Sequence, residues 1–134
     1  MWICLNNAFL SIIQPSAADP LAKGDKLLVR ARRRGDIERA FSDPVTVLEV
    51  PGRDYQFRAY VSRQVVADHL AAHVMSIDYG NFKSSVTDRG LHDAYACVWG
   101  VMAQEQEVPP YEHAPRKRRK FPVSRTNPYA NDPR

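Results

Sequence analysis

Apolar and polar residues alternate along "KLLVRAR", residues 26–32, so that Leu27, Val29 and Ala31 fall on one side and Leu28, Arg30 and Arg32 on the other. That period of two is the mark of a half-buried strand. The same alternation, rich in β-branched and aromatic residues, predicts strands over Ile3 to Ile13 with a bend near Asn6-Asn7, over "VTVLEV" at 45–50, and over "YQFRAYV" at 55–61. "PSAADPLAKGD" between the first two reads as loop, and "PGRD" at 51–54 as a turn.

Elsewhere the period lengthens to that of a helix. "GDIERAF", 35–41, reads as a short one, with Asp36 favouring its N-terminal end and Pro44 closing the exit. "SRQVVADHLAAHVMSI", 62–77, has Ser62 to cap it and Val66, Leu70, Val74 and Ile77 at helical spacing. A third helix runs from about Asp88 to Gln106, with Leu91, Tyr95, Val98 and Met102 on one stripe and Trp99 beside it. "VRA" at 29–31 and "FRA" at 57–59 each belong to the second strand of a pair and precede a helix, a weak repeat with an offset of 28 residues. The order strand-strand-helix-strand-strand-helix-helix points to an α+β domain. Its expected form is a four-stranded, mainly antiparallel sheet with two to three helices on one face.

Composition changes this picture at the C-terminal end. Residues 1–107 carry 12 Lys/Arg against 13 Asp/Glu, a net of −1, whereas residues 108–134 carry 7 against 2, a net of +5. Six of the ten prolines are also there, at 109, 110, 115, 122, 128 and 133. We therefore divide the chain into a single domain over 1–107 and a proline-rich, basic, disordered arm over 108–134. The opening "MWICLNNAFLSIIQ" has no basic leader and is broken by two asparagines, so it reads as neither a signal peptide nor a membrane span of roughly 20 apolar residues. Cys4 and Cys97 match no metal spacing and read as buried thiols of a reducing cytoplasm.

Candidate chemistry is mostly cationic. If the outward side of the sheet is open, Arg30, Arg32 and Arg58 with Tyr60 form a basic, partly aromatic surface, suited to gripping phosphates and stacking on bases. The alternative is an ordinary solvated sheet face. "RARRR", 30–34, adds Arg33 and Arg34 beside the short helix; they either hold an anion there or pair with Asp36, Glu38 and Asp54. In the arm, Arg116, Lys117, Arg118, Arg119 and Lys120 are five consecutive cations suited to polyanions. No glycine-rich phosphate loop is present to support nucleotide hydrolysis.

"IDYGNFKSSVTDRGLHDAY", 77–95, crowds polar groups together. A metal-dependent nuclease or phosphohydrolase would draw on Asp78, Asp88, His92 and Asp93, but two groups four apart on a helix are not a metal site. The structural alternative has Asp88 or Thr87 capping the last helix, Gly80-Asn81 turning, and Ser84 or Ser85 satisfying loose amides. His69 and His73, also four apart, read as a surface pair.

Two stretches, "LLVRARRRGDIERAF" at 27–41 and "IDYGNFKSSVTDRGLHDAYACVWGVM" at 77–102, carry a resemblance to a group of short uncharacterised bacterial proteins of the accessory-genome, mobile-element type. It covers roughly residues 1–105 and implies a bacterial, plasmid or phage setting. No activity or ligand comes with it. Three functional expectations follow. The first is a small non-enzymatic protein that contacts nucleic acid or another polyanion through the sheet face and the arm, with no cofactor, metal or membrane. The second is a mobile-element factor that binds and inhibits a host protein complex, using the same arginines against an acidic or nucleic-acid-handling partner. The third is the metal-dependent hydrolase.

Overall fold

The computed structural model describes residues 1–108 and Pro110. The arm with Arg116, Lys117, Arg118, Arg119 and Lys120 lies outside the described residues. The domain is α+β, with a five-stranded antiparallel sheet: β1 (Trp2–Cys4), β2 (Phe9–Ile13), β3 (Lys26–Ala31), β4 (Leu48–Glu49) and β5 (Phe57–Ser62), ordered β1-β2-β3-β5-β4. Among the described residues four helices pack with these strands, α1 (Asp36–Ala40), α2 (Arg63–Met75), α3 (Phe82–Ser85) and α4 (Arg89–Met102), the last ending in a 3-10 turn over Ala103–Glu105.

The strand count corrects the expectation of four. The bend at Asn6-Asn7 is a full reversal, with the Leu5 amide donating to the Ala8 carbonyl at 2.9 Å. One predicted strand is therefore a hairpin, Trp2 opposite Ser11 and Cys4 opposite Phe9. Two adjacent asparagines, tolerant of turn conformations, interrupt the alternation enough for the chain to fold back on itself. The predicted strand at 45–50 shrinks to two residues between Pro44 and Pro51, because proline cannot donate to a ladder. Val45 and Val47 nevertheless pack on the core.

Leu10, Ile12, Val29, Ala31, Phe57, Ala59 and Val61 build the core face of the sheet, and Ile37, Ala40 and Phe41 from α1 and its exit and Val66 from α2 close it. Ser62 caps α2 by accepting from the Val65 amide at 3.2 Å. His69 and His73 are half-buried tethers rather than the expected surface pair. The His69 ring lies 5.1 Å from Phe41, and His73 Nε2 is 2.8 Å from the Ala40 carbonyl. Asp36 is fully buried and accepts from the Phe9 amide at 3.2 Å and from the Arg39 guanidinium, so α1 is pinned to the start of β2.

A second, smaller cluster of Val86, Leu91 and Tyr95 with Phe9 and Phe82 attaches α3 and α4 to the hairpin. Phe9 alternates with the core residue Leu10, so this attachment departs from the expected single helical face. The stripes of α2 and α4 are buried only in their first halves. Val74 and Ile77, and likewise Val98, Trp99 and Met102, are exposed, because both helices run on past the residues that cover them. Cys4 and Cys97 are free and exposed, contrary to the expectation of buried thiols.

Candidate anion-binding sheet face

One row of directly paired residues crosses all five strands. Trp2 lies opposite Ser11, Ser11 opposite Arg30, Arg30 opposite Arg58, and Arg58 opposite Leu48. Opposed residues of an antiparallel ladder project to the same side. The core residues Val29, Ala31, Phe57 and Ala59 claim one side, so this row faces the other. The next row is Ile13, Leu28 and Tyr60. Arg30, Arg58 and Tyr60 thus share one sheet face as expected, but that face is not free of helices: it also bears Phe9, two residues from Ser11, on which α3 and α4 pack. The tripeptides "VRA" and "FRA" meet across the central β3–β5 pair, which sets their two arginines side by side.

Tyr55, buried just before β5, is the platform beneath the cations. The Arg30 guanidinium lies 4.5 Å and that of Arg32 4.4 Å from its ring centroid, and Arg58 Nε donates to its carbonyl at 3.0 Å. Arg30 Nη2 also donates to the buried Ser11 hydroxyl at 2.7 Å, whereas its Nε is buried with no hydrogen-bond partner among the described residues. Burial pulls the Arg30 guanidinium below the usual arginine range, and the adjacent Arg58 charge acts in the same direction. Arginine remains cationic at neutral pH regardless.

Four neighbouring arginines are differently employed. Arg32 pairs with Asp54 at 2.7 Å, Arg33 with Asp88 at 2.7 Å, Arg63 with Asp25 at 2.9 Å, and Arg34 with Glu49 while its guanidinium lies 5.1 Å from the Phe57 ring. Arg32, Arg33 and Arg34 of "RARRR" therefore scatter onto separate carboxylates. Asp54 and Asp36 are among the expected partners, but Asp88 and Glu49 stand where Glu38 was expected. Arg30 and Arg58 form no ion pair among the described residues. Tyr60 donates to the Asp19 carboxylate from the long loop, and that bond holds Asp19 below the usual carboxylate range. Burial, followed by the same bond, raises the Tyr60 phenol.

The polar stretch before α4 is a helix entrance. Asp88 caps α4 by accepting from the Leu91 amide at 2.8 Å, and that bond together with Arg33 lowers its carboxyl. Asn81, expected only as a turn residue, caps α3 through the Lys83 and Ser84 amides, while Ser85 donates to the Phe82 carbonyl instead of satisfying an amide. His92 lies 3.5 Å from Asp93. Among the described residues, no three His, Cys, Asp or Glu side chains converge to hold a metal ion. Nor is any helix among them long and apolar enough to cross a membrane.

Trp2 belongs to this surface, with Ser11 and Tyr55 buried beneath it, and all three were missed in the sequence. Ser11 and Trp2 join it only through the hairpin. Tyr55 carried a strand signal but no sign that arginines from another strand would lie on its ring. No protein-family model, curated protein or solved structure matches this chain.

Proposed function

We propose that this is a small non-enzymatic binding protein that takes hold of nucleic-acid phosphates on its sheet face. The observation that carries the reading is the Arg30–Arg58 pair. The two residues stand side by side with no ion-paired carboxylate among the described residues, whereas Arg32, Arg33, Arg34 and Arg63 are each neutralised by one. Holding like charges together costs stability, offset only from beyond ion-pair distance by Asp54 near Arg30 and Asp19 near Arg58, and a bound phosphate relieves what remains while accepting from both forks. Arg32, shared between Tyr55 and Asp54, borders the site, and Tyr60 supplies an aromatic neighbour. The basic run Arg116–Lys120 adds sequence-independent attraction. Affinity on this reading comes from phosphates, with little base readout. The test is binding to a fluorescent oligonucleotide as a function of salt. A steep negative log–log slope supports the reading, and a slope of zero for DNA and RNA alike removes it.

The exposed apolar end of α4, with Val98, Trp99, Val101 and Met102, favours a second reading in which the chain binds a protein of a host complex. A stoichiometric protein partner that survives nuclease treatment, and is lost on Trp99→Glu, would establish it over the first.

A further inference from the structure

The anion site has an aromatic at the end of its own row. Trp2, paired directly with Ser11 and so two strands from Arg30, is 70% exposed. Its ring meets Phe9 edge-to-face at a centroid distance of 5.9 Å, a contact that orients the indole while leaving most of it open. A large exposed aromatic on a short edge strand is a liability for a protein with no use for it. Here it stands in line with Arg30 and Arg58, the pair without an ion-paired carboxylate among the described residues. Strands are spaced by about 4.8 Å, so Trp2 and Arg30 are about 10 Å apart along the row, within reach of neighbouring nucleotides.

We infer that the sheet face is a single-stranded nucleic-acid platform, with an unpaired base stacked on Trp2 and the adjoining phosphates held by Arg30 and Arg58. This inference rests on the phosphate-binding reading and narrows it to one ligand class. A side chain standing up from a sheet meets the flat of a base only where bases are splayed from their partners; in a duplex those faces are stacked inside the helix. Ser11 lies between the stacking position and Arg30, and its hydrogen bond keeps the Arg30 fork fixed in the row.

The experiment uses the full chain carrying Trp99→Phe, which leaves Trp2 as the sole tryptophan, since the sequence has two. Its fluorescence is titrated with oligo-dT, oligo-rU, a duplex of equal length, and inorganic polyphosphate. Quenching by the single strands and not by polyphosphate is expected, with single-strand affinity above that for the duplex. Trp2→Ala should weaken single-strand binding roughly 5- to 150-fold, the range for one base–aromatic stack, and leave polyphosphate binding unchanged. Trp2→Phe should restore most of the loss, which separates stacking from a mere effect on the hairpin. The two single-strand arms tell DNA from RNA. If Trp2→Ala binds single strands like the parent while polyphosphate binding still depends on Arg30 and Arg58, the stacking inference fails and the phosphate reading stands. If none of the four ligands binds, both fail.

Discussion

Replacing Asp36 tests the packing that brings the hairpin, and with it Trp2 and Ser11, onto the rest of the sheet. Its carboxylate is 1% exposed and joins three elements. It accepts from the Phe9 amide at 3.2 Å and from Arg39, and lies 3.9 Å from Arg33 Nε. Removing one member of a fully buried charged pair costs about 3–5 kcal/mol. Arg39 is 42% exposed and recovers some hydration when its partner goes, which lowers that figure. The lost bond to the Phe9 amide adds about 1–3 kcal/mol for a donor left unsatisfied. Taken together, Asp36→Ala should cost about 3–4 kcal/mol, and Asp36→Asn, which retains an acceptor for Phe9, about half as much. For a domain of this size each kcal/mol lowers the thermal midpoint by about 4–8 °C, so the alanine variant should melt at least about 10 °C lower. Circular dichroism melts and urea titrations at unchanged m would measure it. A loss below about 1 kcal/mol for Asp36→Ala would refute the claim that this carboxylate anchors α1 to β2.

Three other outcomes follow. Gly35, at φ +82°, has Arg39 Nη1 only 2.7 Å from where a Cβ would stand, so Gly35→Ala should cost at least about 1–2 kcal/mol from the left-handed backbone alone; a neutral melt would contradict it. Tyr95→Phe removes a hydroxyl that reaches the Leu5 carbonyl at 3.0 Å and the Ala8 carbonyl at 2.8 Å, and should cost about 1 kcal/mol by urea titration, with the hairpin amides losing hydrogen-exchange protection first. The Asp88 carboxyl is held below its unfolded value, so its contribution is complete above the ordinary carboxylate range and vanishes as pH falls through the folded value. Asp88→Asn should therefore lower the midpoint at neutral pH, and the difference from the parent should close on acidification; a difference that grows in acid would contradict the capping role.

What was legible in the sequence, and what was not, follows from the range of each interaction. Alternation placed Arg30 and Arg58 on the outward side of their strands because a period of two is local, and the β3–β5 register then set them opposite each other. Caps were legible for the same reason, and Ser62 and Asp88 occupy the expected positions. The hairpin was not, since a polar pair inside an apolar run reads equally as a bend and as a reversal, and only the ladder between Trp2 and Ser11 decides. The partners of Arg33 and Arg34 were also hidden, because Asp88 and Glu49 lie 55 and 15 residues away along the chain. Helical stripes predicted burial along the whole of α2 and α4, whereas burial depends on where the neighbouring elements stop.

The most direct measurement of the central claim is the salt dependence of single-strand binding for the parent, for Arg30→Gln/Arg58→Gln, and for the control Arg63→Gln, whose arginine is ion-paired to Asp25. Each single-strand phosphate that the protein no longer neutralises makes the log–log slope shallower by about 0.7, so the double variant should differ from the parent by about 1.4 and the control should match it. An unchanged slope in the double variant, with its melting curve intact, would contradict the assignment of phosphate binding to the Arg30–Arg58 row.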